Sequence, residues 1–256
     1  WDHYRELFIN KDNIDKGKRF ISTHMVSLEK AHKNYGVPPE IVSAIIGIET
    51  KYGKNQGKFP VFDTLATLAF ERSGREDFFK EELEAFILLC LEQGLSINKV
   101  KGSYAGALGI PQFMPSSWRT FAIDFDQNGK TNLLTSPKDA IGSVANYLNK
   151  HGWDRNIPTH SVAKQEPGSN AKQFFTYELQ AKYRYDELQK GGFKDPLNKI
   201  PAYLDVSLID LKLSNNKIIY WLATKNFFAV TKYNRSYKYA AAVLELAEAL
   251  KSKSGS

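Results

Sequence analysis

Pro38-Pro-Glu-Ile-Val-Ser-Ala-Ile-Ile-Gly-Ile-Glu-Thr-Lys-Tyr-Gly53 opens on a proline pair and closes on a glycine. Proline is favoured in the first helical turn, where its missing N–H costs nothing, and glycine is favoured just past a helix end. The stretch therefore predicts a helix over 39–52 that stops near Gly53. Ile41, Ile45 and Ile48 fall on one stripe at helical spacing. Glu49 follows Ile45 by four and Ile41 by eight, so it points with the apolar stripe rather than away from it. A carboxylate placed there must be desolvated, paired or lining a cleft. Desolvation favours the protonated form, which is what a general acid needs near neutral pH. The plainer alternatives are a Glu buried against Lys or Arg, or one at the stripe's edge that reaches water.

Outward from this helix the chain reads as mainly helical. Residues 1–35 are amphipathic and helical. Asp63 is placed to cap a helix over Thr64–Arg72, and 76–93 form a long helix with apolar positions at Phe79, Leu83, Phe86, Ile87 and Cys90. A loop-and-turn region covers 101–117, and Asp139–His151 is another helix. The polar stretch 154–200 gives no clear pattern. Val206–Leu213 and Ile218–Leu222, around Ser214-Asn-Asn216, predict a β-hairpin. Phe227–Tyr233 is a loop or short helix, and Ser236–Leu250 a final helix. The tail 252–256 has a disordered composition. No internal repeat is present.

Composition narrows the class. A chain of 256 residues with 42% apolar and 25% charged content is long enough for a real core and reads as soluble and globular. The net charge of +7 suits an anionic polymer, but no Lys/Arg block resembles a nucleic-acid tail, so nucleic acid is not an expected partner. The single cysteine, Cys90, permits no intramolecular disulfide and lies in an apolar run, which makes it a packed thiol. No apolar stretch is long enough for a transmembrane helix, and no signal peptide is visible. A start at Trp1 reads as a processed or trimmed form. The 13 Tyr, 16 Phe and 4 Trp supply flat apolar faces, which sugar binding needs, although most belong in an aromatic-rich core.

Two further segments carry chemistry. Gly102-Ser-Tyr-Ala-Gly-Ala-Leu-Gly-Ile-Pro-Gln-Phe-Met-Pro-Ser-Ser117 is rich in small residues that let a ligand approach the backbone. Ser103 and Gln112 offer hydroxyl and amide groups, and Phe113 and Met114 an apolar floor. An ordinary tight-turn segment explains the composition equally well. Asp124-Phe-Asp-Gln-Asn-Gly-Lys130 places oxygen ligands at alternate positions, with Gly129 where an EF-hand loop turns sharply. Asp124, Asp126, Asn128 and the carbonyl of Lys130 are the candidate ligands. The twelfth position is Thr135 rather than Glu, and Asp139 is positioned to supply the missing carboxylate. Calcium suits this flexible oxygen set better than magnesium, with a structural role; a solvated Asx-rich turn is the alternative. One such loop and two methionines argue against a calcium sensor.

Taken together, Gly47–Gly53, Gly102–Ser117, Asp139–Tyr147 with His151-Gly-Trp153, and Asn226–Ser236 with Tyr239-Ala240 resemble the membrane-bound lytic transglycosylase B family, glycoside hydrolase family 103. The resemblance keeps motif order along nearly the whole chain and is weakest over 154–200. It implies an α+β, mainly α fold: a lysozyme-like core with a helical domain and a small antiparallel β-domain. The implied organisation is 1–100 as the helical domain and the start of the core carrying Glu49, 101–153 as core with the glycan-binding and calcium loops, 154–222 as the β-containing domain, and 223–256 as the C-terminal core segment. The implied reaction cuts the β-1,4 bond between N-acetylmuramic acid (NAM) and N-acetylglucosamine (NAG) without water, giving a 1,6-anhydro end. Glu49 is the implied catalytic residue. Ser103, Gln112, Phe113, Met114, Tyr147, Tyr233, Asn234 and Tyr239 match glycan-lining positions, and Tyr4 and Arg75 are matched through looser alignment. The calcium loop has a family counterpart ending on the match to Asp139, although here it is one residue longer. Catalysis needs no cofactor. The implied setting is the periplasm, with a lipid anchor at the outer membrane in the full-length form, as a monomer acting on peptidoglycan strands alongside other cell-wall enzymes. A lysozyme-type hydrolase and a non-catalytic peptidoglycan-binding module are the competing expectations.

Overall fold

The computed structural model describes residues 1–71, 74–176 and 178–251. The expected helix end at Arg72 and the tail 252–256 lie outside the described residues. In chain order the elements are α1 (Asp2–Phe8), α2 (Lys11–Tyr35), α3 (Pro39–Thr50), β1 (Phe59–Pro60), α4 (Val61–Phe70), α5 (Glu76–Gln93), β2 (Lys101–Gly102), α6 (Pro115–Phe121) and α7 (Pro137–Lys150). They continue with β3 (His160–Gln165), β4 (Tyr183–Arg184), α8 (Tyr185–Lys190), β5 (Phe193–Lys194), β6 (Asp205–Lys212), β7 (Ile218–Thr224), α9 (Lys225–Thr231) and α10 (Tyr237–Lys251). The chain divides into two compact units, one of Asp15–Tyr147 and one of Trp1–Ile14 with Leu148–Ser256.

The unit Asp15–Tyr147 is helical around one apolar core. Leu28, Ile45, Ile46, Leu65, Phe86, Leu89, Leu108, Leu133 and Ile141 have no exposed surface. Burying one such side chain stabilises by roughly 1.5–3 kcal/mol. Helix α3 is buried on every side rather than along one stripe: Ile41 through Gly47 and Thr50 are all buried. Pro38 is held extended because it precedes Pro39, which starts the helix. Helix α4 begins at Val61 after Pro60, so Asp63 lies in its first turn instead of capping it. There the carboxylate still faces the positive end of the helix dipole. In α5, Phe79, Phe86 and Cys90 are buried as expected, whereas Ile87 is exposed and Glu82 is buried in the same helix.

The second unit holds a five-stranded antiparallel sheet in the order β4-β6-β7-β3-β5. Its centre is the expected hairpin, with Leu208 opposite Leu222 and Leu211 opposite Ile219. Phe174, Tyr185, Leu188, Phe193, Ile200, Val206, Leu208 and Leu222 form its core. The polar stretch 154–200 thus supplies three strands and α8, each too short to announce itself by periodicity. Asp195 organises the turn after β5: its carboxylate accepts from Ser161 Oγ at 2.6 Å and from the N–H of Leu197 and Ile200, both at 2.9 Å. The segment 225–231 resolves as helix α9, capped by Thr224, whose hydroxyl accepts from the Asn226 N–H.

Candidate active site

Glu49 occupies the penultimate position of α3 and, like Ile48 before it, is half-buried. The chain then makes a tight reversal. Lys51 (φ 50°), Tyr52 (φ 62°) and Gly53 (φ 84°) are all left-handed. That conformation costs a non-glycine residue roughly 1–2 kcal/mol and persists only where surrounding contacts enforce it. Those contacts are visible. The N–H of Lys51 donates to Gly47 O and that of Tyr52 to Ile46 O, which satisfies the last carbonyls of the helix. The Tyr52 ring packs back over Gly47, where a Cβ would lie 2.6 Å from it, and lies 5.5 Å from the Phe20 ring. Burial pushes the Tyr52 phenol well above its ordinary range, so it stays protonated.

Thr50 ties this helix end to the Gly/Ser/Gln segment. Its hydroxyl proton goes to Ile110 O at 2.8 Å, and its oxygen accepts the Gly53 N–H at 2.9 Å. Gln112, itself left-handed at φ 51°, donates through Nε2 to Gln56 O at 3.1 Å and Gly109 O at 3.0 Å. The Gln56 side chain in turn donates to Gly53 O and Leu134 O. Thr50 and Gln56 escaped sequence reasoning; the only signal was their proximity to Glu49 and Gly53. The glycines of the segment are spatially required. A Cβ on Gly102 would meet Ala107 O at 2.3 Å, and one on Gly109 would meet Leu133 O at 2.5 Å.

The other candidates in this unit divide by exposure. Ser103 Oγ is half-buried and accepts from the N–H of Ala107 at 3.0 Å and Ala105 at 3.3 Å. Its own proton can still be donated. Met114 is half-buried at the N-cap of α6. Phe113 is 2% exposed and Tyr147 8% exposed, with ring centroids 5.5 Å apart, so the two form a packed wall rather than an open floor. Burial pushes the Tyr147 phenol up to about 12. Arg75 is exposed at the start of α5, its guanidinium 4.6 Å from the Phe78 ring centre and 5.3 Å from that of Phe79.

Tyr4, Tyr233, Asn234 and Tyr239 belong to the second unit. Tyr233 and Tyr239 stack with an interplanar angle of 12° and centroids 6.5 Å apart. Tyr239 is buried, Tyr233 half-buried and Asn234 exposed. Tyr4 is half-buried between Trp1 at 6.2 Å and Phe8 at 5.3 Å.

Two buried carboxylates in the Glu49 unit are already committed. Glu82 receives Ser116 Oγ at 2.6 Å and Ser116 N–H at 2.9 Å, which secures the first turn of α6. Asp139, fully buried, receives the N–H of Phe125 at 2.9 Å on Oδ1 and of Asn132 at 2.9 Å on Oδ2. The 124–130 loop closes around Asp124, which accepts from the N–H of Asn128 at 3.0 Å and Gly129 at 2.7 Å, while Asn128 accepts from Lys130 N–H. Carboxylate oxygens of Asp124, Asp126 and Asp139 lie within 4.8 Å of one another. Asp126 Oδ1 is buried without a hydrogen-bond partner.

A mainly helical, lysozyme-like fold with one half-buried glutamate at a rigid helix end defines a glycan-cleaving class. The family model for the transglycosylase SLT domain matches residues 1–248. The chain is 39% identical over 251 residues to membrane-bound lytic murein transglycosylase B of Escherichia coli, covering 98% of this chain and 67% of that protein. The E. coli lytic transglycosylase Slt35 in complex with calcium aligns with a TM-score of 0.89 at 38% identity, over 98% of this chain and 78% of that one. SltB3 from Pseudomonas aeruginosa in complex with NAG-NAM-pentapeptide aligns with a TM-score of 0.88 at 32% identity, over 98% and 67%. The chain belongs to the transglycosylase SLT family. It is a lytic murein transglycosylase, a peptidoglycan-cleaving enzyme of the lyase class whose catalysis needs no cofactor.

Proposed function

We propose that Glu49 performs both proton transfers of the cut. Its carboxyl proton goes to the glycosidic oxygen as the bond from that oxygen to C1 of NAM breaks, and NAG leaves with a free 4-hydroxyl. The resulting carboxylate takes the proton from the C6 hydroxyl of the same NAM as O6 bonds to C1. The product carries a 1,6-anhydro ring, no water is consumed, and Glu49 ends protonated as it began. One group acting as acid and then base follows glycosidase logic without a second carboxylate. The substrate's own N-acetyl group eases the charge at C1.

The observation that carries this reading is the half-buried position of Glu49 at the rigidly closed C-terminal end of a largely buried helix. The commitment of Glu82 and Asp139 to hydrogen bonds supports it, because neither is placed to compete as the acid. Ser103, Gln112, Phe113, Met114, Tyr147, Arg75, Tyr4, Tyr233, Asn234 and Tyr239 are the residues assigned to the glycan. Phe113, Tyr147 and Tyr239 are buried and offer little surface.

The substrate is peptidoglycan strands, and the setting is the periplasm. Among the described residues no helix is long and apolar enough to cross a membrane. Asp124, Asp126, Asn128, the Lys130 carbonyl and Asp139 hold a structural calcium ion. The clustered oxygens, and the unpartnered Asp126 Oδ1, support this assignment. The test for Glu49 is digestion of purified sacculi with mass spectrometry of the fragments. Anhydro-ended muropeptides, absent with Glu49→Gln, are expected. Reducing ends instead would make the protein a hydrolase, and unchanged cleavage by Glu49→Gln would remove its role.

A further inference from the structure

Gln112 sits at the end of a four-residue turn. Leu108 and Phe113 exchange N–H···O bonds at 2.8 and 3.1 Å, and between them the Gln112 N–H donates to Gly109 O at 3.1 Å. The Gln112 side chain folds back over the same turn, with Nε2 donating to Gly109 O at 3.0 Å and to Gln56 O at 3.1 Å. A primary amide carries two N–H donors at one end and an acceptor oxygen at the other. The two carbonyls therefore use both protons. They also fix which way the amide faces, because the reverse orientation would set Oε1 against two carbonyl oxygens. What the half-buried Gln112 has left to offer a ligand is Oε1, which can only accept. Such a group selects for a sugar hydroxyl or acetamide N–H, and against any ligand atom that brings only lone pairs.

One of the two clamping carbonyls is the backbone of Gln56, and that peptide is held from both sides. The Gln56 side chain donates through Nε2 to Gly53 O at 3.2 Å and to Leu134 O at 3.0 Å. On the other side, Gly57 is pressed against the Gly/Ser/Gln segment, where a Cβ would meet Gly102 O at 2.0 Å. Gln56 thus joins three pieces of chain: the one that leaves α3 just after Glu49, the one that precedes α7, and the turn that carries Gln112. We infer, on the reading of Gln112 as a glycan contact, that Gln56 is a positioning residue. It holds the Gln112 amide in one orientation, so that the glycan is met there by an acceptor alone and must supply an O–H or N–H donor.

The test measures KM and kcat on purified glycan strands well below the unfolding temperature, with solvent exchange of the Gln112 side-chain amide protons followed by NMR. Both protons should be protected in the wild type. Gln56→Met keeps the bulk and removes the two side-chain donors. It should speed exchange of the Gln112 protons and raise KM about fivefold with kcat little changed, as expected for a neutral hydrogen bond made equally before and during reaction. Gln56→Lys returns a donor to the same place and should recover most of the wild-type KM. Gln112→Met should raise KM at least as far, and adding Gln56→Met to it should change KM no further, because the first residue acts only through the second. A Gln56→Met variant with wild-type KM, a loss confined to kcat, or additive effects in the double variant would overturn the inference and leave the glycan reading of Gln112 standing. A Gln112→Met variant with wild-type KM would remove that reading and the inference with it.

Discussion

The hydroxyl of Thr50 donates to the carbonyl oxygen of Ile110 at 2.8 Å, joining the residue beside the proposed acid to the middle of the Gly/Ser/Gln segment. Both groups are buried, and the same hydroxyl oxygen accepts the Gly53 N–H. Removing it leaves a donor and an acceptor unsatisfied, which costs roughly 1–3 kcal/mol. Thr50→Val should therefore lower the melting temperature. It should also cut kcat on sacculi more than it raises KM, because Glu49 loses its fixed height. Thr50→Ser keeps the hydroxyl and should recover most of both. A valine variant with wild-type kcat would show that this bond does not position Glu49.

Gly47 and Tyr52 form the second constraint on the same helix end. A Cβ at Gly47 would sit 2.6 Å from the Tyr52 ring, and Tyr52 is in a left-handed conformation that gives the ring little room to retreat. Gly47→Ala should destabilise by about 1–3 kcal/mol, the usual range for overpacking a filled site. Pairing it with Tyr52→Ala should recover part of the loss by emptying the space. Thermal unfolding of the single and double variants measures the coupling, and strict additivity would mean that the two side chains do not contend.

The half-burial of Glu49 was legible because a carboxylate in apolar company is a contradiction that spacing alone exposes. The single-stripe picture of α3 was not right, since Val42, Ser43, Ala44 and Ile46 on its other faces are equally buried. Periodicity marks a helix with one wet side and misses one enclosed on all sides. The hairpin at β6 and β7 and the final helix were legible from strong local patterns. The strands β4 and β5 were not, because two residues carry no period and their partners in β6 and β3 lie far along the chain. Asp63 misled because a carboxylate suits both the cap and the first turn of a helix. Glu82 went unnoticed because its justification, Ser116, is 34 residues away.

Two groups in the sheet unit make stability fall in acid. His160 stacks on Trp221 with centroids 3.9 Å apart, and burial, aided by Lys199, pushes its imidazole down from 6.5 to about 4. The unfolded chain takes up that proton first as pH falls, so stability declines across the window from 6.5 to about 4 and is indifferent to His160 above it. For Asp195, burial alone pushes its carboxyl up, but hydrogen bonds from Ser161 and from the N–H of Ile200, Leu197 and Lys199 outweigh it and hold it below its ordinary value. Its contribution is present above the unfolded value and is lost as pH drops through the folded one. Melting temperature should therefore decline below neutrality and more steeply in strong acid. His160→Phe keeps the stack and should flatten the profile between 6.5 and about 4. Asp195→Asn should lower stability at neutral pH and flatten the most acidic part. An unchanged profile in both variants would place the acid sensitivity elsewhere.

Calcium should stabilise the Asp15–Tyr147 unit without entering the chemistry. Asp139 already organises the loop by accepting the N–H of Phe125 and Asn132, so the site is largely formed before any ion arrives. What the ion adds is a partner for Asp126 Oδ1 and relief of repulsion among carboxylates whose oxygens lie within 4.8 Å of one another. At a hundredfold excess over Kd, binding to the folded state alone contributes about 2.7 kcal/mol. Adding calcium to chelator-treated protein should raise the melting temperature by several degrees, and magnesium should do less because it prefers a tighter octahedral shell. Asp124→Asn/Asp126→Asn should abolish the calcium-dependent rise. At a temperature well below unfolding, kcat on sacculi should be the same with calcium or with chelator. A calcium-dependent kcat at that temperature would mean that the ion does more than hold the loop.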